Sequence, residues 1–137
     1  GRRGRARLAL LPWPRVSDVA VRRRVDPQRG RQALAAVLEA HTLADDDLRD
    51  AVRFLLEELA AKAPGRSVEV RVPPHGAAQC IEGPRHTRGT PPNVVETDPM
   101  TFLSLATGAT DWATARAEGL VHASGERADL SPFLPLV

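Results

Sequence analysis

Two periods divide the chain. From residue 26 to residue 63, apolar side chains return every three or four positions, the spacing that gathers them on one face of a helix. Asp26 and Pro27 open the first run. A carboxylate there accepts from N–H groups that a helix start leaves unpaired, and proline suits the first helical position. Leu34, Val37, Leu38 and His41 follow at helical spacing. Asp45, Asp46 and Asp47 open a second helix, where negative charge offsets the unpaired N–H groups. Leu48, Val52, Leu55 and Leu59 form its apolar stripe, widened by Ala51 and Leu56. Pro64 and Gly65 end it. Glu57 and Glu58 are adjacent on that helix and point in different directions, so they form no carboxylate pair.

At Ser67 the period drops to two. Val68, Val70 and Val72 alternate with Ser67, Glu69 and Arg71, which predicts a half-buried strand. Pro73-Pro74-His75-Gly76 predicts a turn, and Ala77–Glu82 a weaker second strand, so the two runs make a hairpin. Gly83–Pro92 reads as a polar loop, and Asn93–Thr97 as a third short strand. Asp98 and Pro99 repeat the cap-then-proline signal. Phe102, Leu103, Leu105 and Ala106 follow, and Gly108 suits a left-handed helix end. Thr110 is the expected cap of a short helix carrying Trp112 and Ala115, closed by Gly119. Leu120–Ser124 is a last strand. Gly125 turns it into a tail ending in Phe133, Leu134 and Leu136.

Composition changes this picture in one respect. The 137 residues fit one domain. The net charge of +2 conceals a division: residues 1–31 hold ten Arg against two acids, and residues 32–137 hold nine basic residues against fifteen acids. The basic character therefore belongs to residues 1–25, which read as a flexible arm preceding a domain at 26–137. Two basic clusters, Arg2 to Arg7 and Arg22 to Arg24, suit an anionic membrane surface. Eighteen of the nineteen basic residues are Arg, a bias that points to a GC-rich, actinobacterial type of genome. Aromatic residues make up 4%, too few for base-stacking surfaces, so no nucleic-acid partner is expected. Cys80 is the one cysteine, so no internal disulfide forms. No apolar run reaches the length of a membrane span. A cytoplasmic location is the expectation.

The stretch from Val94 to Leu136 resembles the C-terminal half of the sterol carrier protein family. The resemblance rests on a strand, an acidic cap and the helix Phe102-Leu103-Ser104-Leu105-Ala106-Thr107-Gly108. A short helix with Trp112 and Ala115 comes next, then Gly119-Leu120-Val121-His122-Ala123-Ser124-Gly125 and an amphipathic tail. With the helix Leu48–Ala63 and the hairpin after it, the likeness covers about residues 26–137. It is nearest to a bacterial branch, through the loop from Gly83 to Asn93. A related module forms the C-terminal part of mycothiol-dependent isomerases, whose metal-binding helical domain has no counterpart here. The resemblance implies an α+β fold: a mostly antiparallel sheet of four to five strands covered by helices, with an apolar tunnel between the layers. Four strands are clear here, where the family commonly has five. It also implies a carrier of a fatty acyl or sterol-like lipid, with no catalysis and no cofactor.

An apolar site needs an apolar wall and a few orienting polar groups. Leu55, Leu59, Phe102, Leu105 and Trp112 are the candidates for the wall, and the same residues serve equally as ordinary core. Arg85, His86 and Arg88 form the most unusual polar stretch. Near the backbone N–H groups of Gly89 and Thr90 they suit a carboxylate or phosphate head group; alternatively they are a solvated loop paired to Glu82 and Glu96. Cys80 with His75 or His86 as base is the one nucleophile on offer. It lies in a predicted strand without a flanking signature, so a small apolar residue is the plainer reading. His41, His75, His86 and His122 lack metal-ligand spacing. Three functions remain in view: a lipid carrier; an interaction or homodimerisation module with an exposed apolar patch at Phe133–Val137; and an accessory domain of a thiol- or acyl-handling enzyme.

Overall fold

A computed structural model describes residues 23–39, 43–84 and 92–137. Both helices of the first half form where the 3.6-residue period places them. Helix α1 spans Pro27–Glu39, with the Asp26 carboxylate accepting from the Arg29 N–H at 3.1 Å. Helix α2 spans Asp45–Lys62, with three Asp in its first turn and Lys62 in its last. It buries Ala51, Val52, Leu55, Leu56 and Leu59 as the stripe requires, and Phe54 besides. Helix α1 packs on α2 and is pinned to it by Arg29, which reaches Asp47 at 2.9 Å and Asp50 at 3.1 Å. Leu38, at helical spacing with the core residues of α1, is instead 53% exposed. His41 lies outside the described residues.

Strand β1 (Val68–Val72) alternates buried and half-buried positions, as its period of two demands. Strand β2 (Gly76–Cys80) pairs with it antiparallel, and the turn closes on a His75 N–H to Val72 carbonyl bond of 2.9 Å. The second strand thus stops two residues short of the predicted Glu82. Ile81 takes a left-handed conformation (φ 64°), which breaks the extended run. Strand β3 spans Val94–Thr97 and strand β4 Val121–Ser124, giving the order β2-β1-β3-β4.

The sheet is mixed, which corrects the mostly antiparallel sheet expected above. The central pair, β1 with β3, is parallel. Register explains why. Cys80, the last residue of β2, lies opposite Val68, and Val94, the first of β3, lies beside Glu69. The connection therefore begins and ends at the same end of the sheet, and β3 must run in the direction of β1. Four strands are present among the described residues.

Helix α3 (Pro99–Thr107) and helix α4 (Trp112–Ala117) form the connection from β3 to β4. Asp98 caps α3 through its carboxylate, which accepts from the Thr101 N–H at 2.9 Å and the Thr101 hydroxyl at 2.7 Å. Gly108 ends α3 in the left-handed region at φ 81°, where a side chain would be strained. The cap of α4 is Asp111, one residue beyond the expected Thr110; its carboxylate accepts from the Thr114 N–H at 2.7 Å.

One sheet face carries Val68, Val70, Val72, Cys80, Val95 and Val121, all buried against the helices. The opposite face carries Glu69, Arg71, Glu96 and His122 toward solvent. Among the described residues, no helix is long and apolar enough to cross a membrane.

Candidate functional site

The candidate wall residues divide into two groups. Leu55, Leu59 and Phe102 are at most 1% exposed and belong to the continuous core between sheet and helices. Leu105 and Trp112 are also buried, but they line a surface groove of about 380 Å³. The end of α3, the start of α4 and the C-terminal tail form this groove, with Leu134 and Pro135 as its opposite wall. Leu55, Leu59 and Phe102 do not line it.

Local chemistry holds each wall in place. The left-handed turn at Gly108 separates α3 from α4, so Leu105 and Trp112 meet at one corner. Arg116, one turn beyond Trp112, sits with its guanidinium carbon 5.9 Å from the indole centroid, within cation–π range. The tail is fastened from two sides. The N–H groups of Leu136 and Val137 donate to the Ala106 carbonyl at 2.8 and 3.2 Å, and Lys62 Nζ donates to the Pro135 carbonyl at 2.9 Å. Leu136 is consequently buried, and Phe133, Leu134 and Val137 are half-buried. The tail thus folds back as a wall rather than standing out as an apolar patch. The sequence suggests an amphipathic tail, and an exposed apolar patch at Phe133–Val137 only if the chain is an interaction module.

The polar candidates Arg85, His86 and Arg88 lie outside the described residues. Cys80 is fully buried on the inner sheet face, where burial pushes its thiol up to about 12. His75 stands at the opposite end of β2, at the hairpin turn. The structure therefore does not bring that nucleophile and base together. Among the described residues, no cluster of three or more His, Cys, Asp or Glu is placed to hold a metal ion.

Glu57 and Glu58 have a structural use that sequence reasoning missed. The Glu57 carboxylate accepts from the backbone N–H groups of Arg24 and Val25, at 2.6 and 3.3 Å. Glu58 is 4% exposed and lies 2.8 Å from Arg23 Nη2. Together they hold residues 23–25 on α2 and bury Val25 in the core. The signal was present: Glu58 is four residues after Phe54 and three after Leu55, so it falls within the apolar stripe.

Residues 44–136 match the family model of the bacterial sterol carrier protein orthologs, described as "Bacterial SCP ortholog". The match covers more than half of the chain, and the protein belongs to this family. It begins at the start of α2, so α1 and the preceding residues lie before the matched region. No curated protein matches the chain. The family is broadly associated with lipid binding or transfer.

Proposed function

We propose that this protein binds an apolar, acyl-type ligand in the groove beside Trp112 and carries or presents it without chemistry of its own. The observation that carries the reading is the shape of the groove. Leu105, Trp112, Leu134 and Pro135 form apolar walls around about 380 Å³, a volume within the usual range for a small-molecule site. Thr110, Asp111 and Ser131 supply polar groups at its margin, which suits one polar end on an apolar ligand. Membership of the sterol carrier family supports the ligand class. The reading places the ligand beside α4 rather than in a tunnel lined by Leu55, Leu59 and Phe102, because those three side chains fill the core with one another.

Native mass spectrometry of the gently purified full chain tests the proposal. The expected result is a bound acyl species that delipidation removes and added dodecanoate replaces. A chain that emerges bare and takes up no dodecanoate overturns it.

A further inference from the structure

A second groove, of about 720 Å³, lies elsewhere and shares no residue with the one beside Trp112. It runs between α2 and the outer edge of β2. On the helix side, Arg53, Leu56, Glu57, Ala60 and Pro64 fall three or four residues apart and so share one face. On the strand side lie Gly76, Ala77, Ala78 and Gln79, small residues apart from the last. A Cβ at Gly76 would make ordinary contact with Leu56 and Arg53, at 3.4 and 3.8 Å.

The charge around this groove is one-sided. Arg24, Arg53 and Arg66 line it, with His75. Arg23, Arg29, Arg49 and Arg71 all form ion pairs, whereas no described carboxylate pairs with Arg24, Arg53 or Arg66. Arg53 and Arg66 are oriented by single neutral acceptors. Arg53 Nε donates to the His75 carbonyl at 2.8 Å, and Arg66 Nε to Gln79 Oε1 at 3.1 Å. Each bond uses only the Nε, so both terminal nitrogens of each guanidinium remain available. The one carboxylate in the lining, Glu57, is occupied by the backbone N–H groups of Arg24 and Val25.

We propose that this groove binds a phosphate group. Three guanidiniums around one concavity, two of them held by their Nε, offer planar forks to an oxyanion, and a terminal phosphate presents three oxygens to them. The volume leaves room for the rest of a phosphorylated small molecule or for a phospholipid head group. Both sources share the same chemistry, and separate arms of one experiment tell them apart.

The experiment uses the full chain and follows backbone amide resonances during titration with inorganic phosphate, against chloride at equal ionic strength. Saturable shifts confined to α2 and β2, around Ala60, Ala77 and Gln79, are expected with phosphate only. The double substitution Arg24→Gln, Arg66→Gln is expected to weaken binding about tenfold or more, which corresponds to about 1.4 kcal/mol. Both residues are exposed, and neither side chain is in an ion pair with a described carboxylate, so the fold is not at stake. A second arm measures co-sedimentation with vesicles of phosphatidylglycerol or of phosphatidylcholine. Phosphate binding without vesicle binding assigns a phosphorylated small molecule. Binding to phosphatidylglycerol alone, lost with the same two substitutions, assigns a lipid head group. The proposal is overturned if chloride reproduces the shifts, if the double variant behaves as the parent in both arms, or if the loss follows Arg85→Ala, Arg88→Ala instead.

Discussion

Phe54 occupies the space that a side chain on Gly30 would need. A Cβ built at position 30 overlaps Cβ, Cγ and Cδ1 of Phe54, so the glycine is what lets α1 approach α2 this closely. The overlap involves the root of the phenyl side chain, which a rotamer change cannot carry away. Phe54 is also fully buried, with no free space to enter. Alanine at position 30 would gain about 0.5–1 kcal/mol of helix propensity. Overpacking of this kind typically costs about 1–3 kcal/mol. Gly30→Ala is therefore expected to be destabilising in urea unfolding, and to cost less in a Phe54→Ala background, where Cγ and Cδ1 of the overlap are gone. A neutral or stabilised Gly30→Ala protein would show that the helices can separate at little cost.

Asn93 joins three parts of the sheet's lower end. Its side-chain amide donates to the Ser67 carbonyl at 2.9 Å, and its carbonyl oxygen accepts from the Arg127 N–H at 3.0 Å. The residue is 7% exposed, so both partners lose a bond that water does not readily replace. Asn93→Ala is expected to cost about 1–3 kcal/mol. Asn93→Asp keeps the acceptor for Arg127 but sets a carboxylate oxygen against the Ser67 carbonyl. Its deficit should shrink at low pH, where a protonated carboxyl donates again. Identical deficits at both pH values, measured by denaturant unfolding, would remove Asn93 from this role.

How much of this was legible in the sequence follows from the range of each interaction. Asp26, Pro27, Asp98 and Pro99 act within one turn, so both helix starts stand where the residues place them. The alternation from Val68 to Val72 likewise reports a local period and yields β1 with its boundaries. The parallel partnership of β1 and β3 is not local. It depends on where the connection after β2 returns to the sheet, and no spacing in Gly83–Pro92 encodes that. The same limit governs the site. Leu55, Leu59, Phe102, Leu105 and Trp112 have equivalent helical spacing, yet only the last two border a groove, because the tail happens to stand across from them. Glu58 was visible as a charge inside an apolar stripe, but its partner Arg23 lies far back in the chain.

The cap of α3 gives a pH dependence. Partial burial raises the pKa of Asp98, but bonds from the Thr101 backbone and hydroxyl outweigh it and hold the carboxyl below its ordinary value. A depressed carboxyl contributes stability that is full above the unfolded pKa, about 3.9, and is lost as pH falls through the folded value. Asp98→Ala should cost about 0.5–2 kcal/mol at neutral pH. Its difference from the parent should narrow at a pH below about 3.9. A gap that is constant from neutral to acid would mean that the carboxylate charge has no part in the cap.

Cys80 titrates in the opposite sense. Burial pushes its thiol up to about 12, so the native chain holds the proton that the unfolded chain releases near about 8.5. Its contribution is complete below about pH 8.5 and declines as pH rises toward the folded value. A disulfide reagent at pH 8 is expected to leave the folded protein unmodified and to label it promptly in denaturant. Rapid labelling of the folded protein would mean that the inner sheet face opens, and would restore Cys80 as a nucleophile.

The groove beside Trp112 has a probe in its own wall. Trp13 is the other tryptophan, so Trp13→Phe leaves the emission of Trp112 alone. An acyl chain lying between Leu105 and Leu134 excludes water from the indole, and dodecanoate should shift its emission to the blue with saturation. Ala113 lines the groove and is exposed, so Ala113→Phe fills space without entering the core. It should weaken dodecanoate binding about tenfold or more, equivalent to about 1.4 kcal/mol, and leave the unfolding midpoint nearly unchanged. Phe102→Leu supplies the contrast. That side chain is 1% exposed and packs in the core, so the substitution should lower stability while leaving the affinity of the folded protein intact. The reverse pattern, with affinity tracking Phe102 and indifferent to Ala113, would move the ligand from the groove into the layer between helices and sheet.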